Sequence, residues 1–240
     1  CKEIFMTDLS ANNPHGIVLV SGGMDSCVTA AIALNEGAAA FLHVDYSQRT
    51  EARERLAFHQ IADYYKIPSF FRKVITLDYL RSICCSALTD DSIPVPKFEK
   101  LEEEGNGEIP ITYVPFRNAH ILCMAVSWAE TIGARRIYIG AVAGDSAGYP
   151  DCRPEFYEAF NKLVEVGSKA GRSLKVAAPL IKMSKKEIVQ KGRELNAPLH
   201  LTWSCYEQSE KACGRCDSCL RRLRAFQEAG VVDPIPYENI

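Results

Sequence analysis

Two groups of residues in this 240-residue chain have the types and spacing to do chemistry. The first is Ser21-Gly22-Gly23-Met24-Asp25-Ser26, directly after the apolar run Gly-Ile-Val-Leu-Val at residues 16–20. Adjacent glycines let a backbone take positive φ and approach an anion closely. A helix beginning near Asp25 adds unsatisfied N–H groups and the positive end of its dipole. Ser21 and Ser26 add hydroxyl donors, so Val20, Ser21, Gly22, Gly23, Met24, Asp25 and Ser26 are the expected phosphate cradle. Asp25 would repel phosphate, and its expected task is to hold Mg²⁺ or to fix the loop. The chain contains no G-x-x-x-x-G-K-[ST] sequence, which removes the usual kinase or ATPase reading. A plain strand-to-helix turn is the simpler alternative, since Gly and Ser are common turn residues.

The second group is Cys205, Cys213, Cys216 and Cys219, four thiols within fifteen residues. Gly214 in Cys213-Gly214-Arg215-Cys216 permits a tight turn around a metal. Four thiolates with no spare ligand position make a closed tetrahedral site, the pattern of a structural Zn²⁺, one per chain. An iron–sulfur cluster takes the same ligands. A zinc ribbon on nucleic acid would want a basic surround, and Arg221, Arg222 and Arg224 offer little of one. Ten cysteines in a chain of this size, without a signal segment, read as reduced thiols plus a metal site, which places the protein in the cytoplasm. The first residue is Cys1, so a native start before it is expected.

The elements that must position these groups follow from the apolar pattern. Short strands at residues 16–20, 38–45, 70–77 and 136–142 alternate with helices at 25–36, 50–65, 117–131 and 154–168. Such alternation implies an α/β fold, a parallel twisted sheet with helices on both faces. Ser184-x-x-Glu187 has the spacing of a capping box opening a helix that runs to residue 195, and another helix is expected at 217–229. Residues 1–15 read as a tail or edge element, 16–200 as the nucleotide-binding domain and 201–240 as a small zinc-bound helical region. Residues 78–110, with three prolines after Ser92 and the acidic Glu102 to Glu104, read as a long loop or lid. A net charge of -2 speaks against nucleic acid, and no apolar run is long enough to cross a membrane.

SGGMDS resembles the SGGxDS signature of the PP-loop ATP pyrophosphatases, with an adenine nucleotide alpha hydrolase-like fold. That resemblance implies cleavage of ATP between the α- and β-phosphates and transfer of AMP to a substrate oxygen. Three further segments narrow it: Asp45-Tyr46-Ser47-Gln48-Arg49, Tyr113-Val114-Pro115-Phe116-Arg117-Asn118, and the stretch from Gly144-Asp145 through Tyr149-Pro150-Asp151-Cys152-Arg153 to Phe156. Together with the four cysteines they resemble the 7-cyano-7-deazaguanine synthase family from about Ile17 to Ala229. Thr50 and Phe116 depart from it, standing where relatives often have histidine and a glycine or alanine.

The resemblance implies that 7-carboxy-7-deazaguanine, ammonia and ATP yield 7-cyano-7-deazaguanine, a queuosine precursor, through an adenylated carboxylate and an adenylated amide. It also implies a homodimer. Gln48, Arg49, Arg117, Asn118, Asp145, Tyr149, Asp151 and Arg153 are then the substrate-side candidates. Arg117 or Arg153 suits a carboxylate, Asp151 and Asn118 a guanine-like edge, and Tyr149 a ring face. The plainer alternatives are an ion pair for Arg117 and a helix cap for Asp151. Lys182, before the capping-box helix, is the candidate phosphate cation. Cys152 is not expected to act as a nucleophile, because an adenylate already reacts with ammonia. The rival readings are a tRNA sulfur-transferase, an NAD-synthetase-like amidase of the same superfamily, or a non-catalytic nucleotide-sensing adaptor.

Overall fold

The computed structural model describes residues 14–38, 40–100, 109–144 and 149–238. Within them, five parallel strands form one sheet in the order β3-β2-β1-β4-β5. The centre is β1 (Gly16–Leu19), flanked by β2 (Ala40–Asp45) and β4 (Arg136–Tyr138). Every residue of β1 and β2 is buried, as expected for strands covered on both faces. β3 (Arg72–Thr76) and β5 (Lys175–Ala177) form the edges and are more exposed than the central strands.

Strand order reverses between β1 and β4, and in open parallel sheets ligands settle at the carboxyl ends beside that reversal. The crossover helix α1 (Met24–Asn35) and α2 (Glu51–Tyr64) precede it, whereas α4 (Arg117–Ile132) and α5 (Pro154–Gly167) belong to the other half. Right-handed crossovers therefore place the two pairs on opposite faces. α1 is buried along eight of its twelve residues, mostly small ones. The reason is a second layer: Met24 and Val28 of α1 share an apolar cluster with Ile188 and Val189 of α6 (Lys185–Glu194) and with Ala225 and Phe226 of α7 (Asp217–Glu228).

Several ends are set locally. Ser184 and Glu187 form the reciprocal capping box at α6. Gly133 ends α4 at φ 72, a conformation glycine takes without strain. β4 stops at Tyr138, short of the expected residue 142, because the chain then passes α1. A Cβ on Gly140 would lie 2.9 Å from Asp25 C and Ser26 N. β5 and the short helix α3 (Tyr79–Ile83) carried no readable periodicity.

The expected lid is tied down where it is described. Ala87, Leu88, Thr89 and Val95 are buried, Ala87 N donates to Ile111 O, and Phe98 N donates to Arg215 O. The acidic tract Glu102 to Glu104, like the 1–13 stretch of the expected tail, lies outside the described residues.

Candidate active site and metal centre

The glycine loop leaves β1 and turns into α1 at the carboxyl edge of the sheet. Gly22 sits at φ +91, and a Cβ there would lie 2.6 Å from Glu54 O, so both conformation and space require glycine. Ser26 Oγ donates to Gly23 O at 2.9 Å, and Ser21 Oγ donates to Ser26 Oγ at 3.1 Å. Gly23 precedes α1 and no side chain caps that helix. Its first-turn N–H groups therefore have no intrahelical partner and suit an anion.

Asp25 lies in this first turn. Its Oδ2 accepts from Lys185 Nζ at 2.6 Å, across 160 residues. Its Oδ1 is buried and has no hydrogen-bond partner among the described residues. A buried, unsatisfied carboxylate oxygen is costly unless something cationic meets it. The donor is hard and anionic, so it fits Mg²⁺ carried by a nucleotide.

A cavity of about 280 Å³ opens beside the loop. Val20, Ser21, Gly23, Met24, Asp25 and Ser26 line it, together with Tyr46, Gln48, Arg49, Glu54, Arg117, Asn118 and Cys152. Arg117 donates to Tyr46 Oη at 2.8 Å and stacks 5.1 Å from that ring centroid. Burial works against the Arg117 charge, but Tyr46, Tyr149 and Asp151 outweigh it and raise the group. Burial also pushes Tyr46 up to about 12, against the pull of Arg117. Glu54 accepts from Thr50 Oγ1 at 2.7 Å and from Gln48 Nε2 at 3.1 Å, and its carboxyl is raised by burial.

Behind the loop, His43 and Asp45 are wholly enclosed. His43 Nδ1 lies 2.8 Å from Val20 O and Nε2 lies 3.0 Å from Asp45 Oδ1, so both ring nitrogens face acceptors. Arg55 meets Asp45 Oδ2 at 2.8 Å. This chain of contacts fixes the carbonyl from which the glycine loop departs.

The candidate residues separate into those at the cavity and those elsewhere. Val20, Ser21, Gly23, Met24, Asp25, Ser26, Gln48, Arg49, Arg117 and Asn118 line it, while Gly22 supports the loop from behind. Lys182 is exposed and outside the lining, and Lys185, one helical turn on, makes the contact at the loop. Arg49 is committed to main chain, donating to Ala87 O, Asp90 O and Ile93 O. Asp151 accepts from Asn118 N at 2.9 Å, and Asn118 Nδ2 donates back to Asp151 O. Asp151 thus caps α4, whose preceding residue Phe116 has no capping side chain and sits at φ 57. Tyr149 shares a 2.7 Å hydrogen bond with Thr112 outside the lining, and Arg153 is exposed. Asp145 lies outside the described residues. Glu54, Tyr46, Lys185, Trp203 and Tyr206 went unread in the sequence. Lys185 and Trp203 act through segments far apart in the chain, for which no local spacing exists, whereas Glu54 takes its side-chain contacts from Thr50 and Gln48, four and six residues before it.

The last wall comes from the cysteine region. Trp203 N donates to Gly22 O at 2.8 Å, and Trp203, Ser204, Tyr206 and Ser218 line the cavity. Arg222 of α7 anchors this segment, bonding Thr202 Oγ1 at 2.7 Å, Ser204 Oγ and Leu199 O, with Asp233 as its bidentate partner. Cys205, Cys213, Cys216 and Cys219 are all buried, with their sulfurs within 4.8 Å of one another. Tetrahedral zinc with Zn–S of about 2.3 Å needs sulfurs about 3.8 Å apart, and Cys213 and Cys219 are 3.9 Å apart. Backbone N–H groups of Gln208 and Cys213 donate to Cys205 Sγ, and those of Arg215 and Cys216 to Cys213 Sγ, which favours thiolate charge. Among the thiols, hydrogen bonds from Cys216 and Cys219 pull Cys205 down, and the bond to Cys205 pushes Cys216 up to about 12. The donor set and spacing fit a four-cysteine metal site.

Comparison with known proteins decides the family. The family model described as queuosine biosynthesis protein QueC matches residues 15–230. The chain belongs to the QueC family. Its relatives in that family include the 7-cyano-7-deazaguanine synthase of Acidobacterium capsulatum, 53% identical over 231 residues, covering 96% of this chain and 100% of the relative. The synthase of Koribacter versatilis is 56% identical over 224 residues, with 92% of each chain covered. That of Chlorobaculum parvum is 52% identical, covering 92% of this chain and 96% of the relative. The QueC match includes the glycine loop, the cavity wall and all four cysteines. Among the described residues no helix is long and apolar enough to cross a membrane.

Proposed function

We propose that this QueC-family chain is an ATP-dependent ligase converting 7-carboxy-7-deazaguanine and ammonia to 7-cyano-7-deazaguanine by two adenylations. The observation that carries the adenylation is the head of α1: an uncapped helix start with Ser21, Asp25 and Ser26 lining one cavity, and a buried, unpartnered Oδ1 on Asp25. A carboxylate is a poor electrophile, and attaching AMP to it supplies a leaving group.

The loop N–H groups with Ser21 and Ser26 hold the phosphates. Lys185, itself outside the cavity lining like Lys182, places its charge on Asp25 behind them. Asp25 would hold Mg²⁺, which neutralises phosphate charge when bound. Arg117 faces the substrate carboxylate from across the cavity, with Tyr46 steadying its guanidinium. Gln48 and Asn118 shape the same wall, while Arg49 fixes residues 87–93 as its border. In this reading Tyr149, Asp151 and Arg153 act on the wall's framework. The preorganised donors lower the barrier by meeting charge where it develops and by keeping water from the adenylate.

The four cysteines would hold a structural Zn²⁺, and Trp203, bonded to Gly22, joins that region to the glycine loop. Residues 16–200 then form the nucleotide-binding unit and 201–240 its metal-bound closure. A cytoplasmic homodimer using free ammonium completes the reading. The test combines enzyme, ATP, Mg²⁺, ammonium and the carboxylate, with nitrile followed by mass spectrometry and nucleotides by chromatography. Nitrile with AMP is expected; ADP without AMP refutes the adenylate.

A further inference from the structure

Conversion of ammonia to a nitrile strips three protons from one nitrogen. In the first round nitrogen bonds to the acyl carbon, the carbon–oxygen bond to AMP breaks, and one proton leaves. In the second round the amide oxygen bonds to the α-phosphorus of ATP and pyrophosphate departs. The carbon–oxygen bond then breaks as the triple bond forms, and the two remaining protons leave nitrogen. A cavity that excludes water to protect an adenylate must contain its own proton acceptor.

We propose that Glu54 is that acceptor, a catalytic residue serving the nitrogen in both rounds. The proposal rests on the adenylation reading above. Of the ionisable groups that line the cavity among the described residues, Asp25 is bound to Lys185 at the phosphate end. Arg49 and Arg117 are cations. Tyr46 and Tyr206 are both raised by burial, so they keep their protons. The Cys152 sulfur faces the Asn118 amide at 3.4 Å. Glu54 remains, and it lies near enough to Arg117 for that charge to act on it.

Its geometry suits the task. Thr50 Oγ1 donates to one carboxylate oxygen at 2.7 Å and Gln48 Nε2 to the other at 3.1 Å. Gln48 is fixed in turn, because its Oε1 accepts from Tyr46 N at 2.8 Å. A carboxylate offers about four lone-pair sites, so roughly two are left over by these two contacts. The Glu54 main chain abuts Gly22, where an added Cβ would lie 2.6 Å from Glu54 O. The acid is therefore held at a set separation from the phosphate loop.

Burial raises the Glu54 carboxyl toward the working pH, where a general base is most effective. Thr50, His43, Gln48 and Arg117 pull the other way, and Tyr46 is the further ionisable group facing it. The base form exists above that raised value, so turnover rises with pH through it and falls as pH drops below it.

The test uses the metal-loaded full chain with Glu54→Gln and Glu54→Asp. Two rates are read: ATP–pyrophosphate exchange with the carboxylate and no ammonia, and nitrile formation across pH at fixed free ammonia. The expected wild-type acid limb lies above the ordinary glutamate range of about 4.3. Glu54→Gln is expected to lose about 10²- to 10⁴-fold in kcat, with its acid limb gone, exchange preserved and the carboxylate KM unchanged. Glu54→Asp should keep the limb at an intermediate rate. Glu54→Gln making nitrile at nearly the wild-type rate, or retaining the limb, overturns the assignment. Loss of exchange in Glu54→Gln also overturns it, since the side chain would then be structural. Absence of exchange in the wild type removes the adenylate reading itself, and the proposal with it.

Discussion

Replacing Asp233 by alanine tests how the metal-bound region is joined to the nucleotide cavity. Arg222 and Asp233 are 2% and 3% exposed and form a bidentate pair at 2.7 and 2.9 Å. Removing one member of such a buried pair costs about 3–5 kcal/mol, because the remaining charge stays desolvated. Thr202 Oγ1, Ser204 Oγ and Leu199 O still accept from the guanidinium, which places this case near the lower end, about 3 kcal/mol. That is roughly two decades in the folding equilibrium. Tyr237 Oη, which donates to Asp233 at 2.7 Å, loses its acceptor as well. Urea unfolding of metal-loaded Asp233→Ala should show a lowered midpoint at unchanged slope. The double variant Arg222→Met with Asp233→Leu should recover most of the loss. A single-variant cost below about 1 kcal/mol, or a double variant no better than the single, would refute the assignment of Arg222 as a buried anchor.

Gly140→Ala places a methyl against the backbone of Asp25 and Ser26, where no flexible side chain can yield. Calorimetry should then show ATP affinity reduced at least tenfold, and unchanged affinity would mean the first turn of α1 does not hold phosphate. Chelation should remove one metal per chain and with it on the order of 10 kcal/mol of folding free energy. Trp203 emission and ATP binding should fall together as the metal leaves, because Trp203 bonds both Gly22 and the cysteine segment; ATP affinity surviving complete metal loss contradicts the coupling. Asp25→Ala should retain its circular dichroism spectrum and lose turnover, and an active variant would exclude a metal role for Asp25.

What the sequence made legible was local. The glycine loop between apolar strand and helix, the Ser184 to Glu187 box, Gly133 after α4 and the four clustered cysteines each depend on neighbours a few residues away, and each is found in the structure. What escaped depends on distant approach. Lys182 and Lys185 have similar sequence surroundings, and only the packing of α6 beside α1 brings Lys185 to Asp25. Glu54 reads as one more charge on a charged helix until β2 and its following turn set Gln48 against it. Asp151 and Asn118 carry the right groups to read a base, and the hydrogen bonds between them join segments 33 residues apart that no local pattern links. β5 has only three residues, too few for alternation to register.

Oxygen transfer tests the central claim most directly, because AMP must leave with an oxygen that began on the substrate. With the carboxylate labelled in both oxygens by ¹⁸O, mass spectrometry should find two AMP per nitrile, each carrying one ¹⁸O. Unlabelled AMP, or label appearing in inorganic phosphate beside ADP, would contradict adenylation at this site.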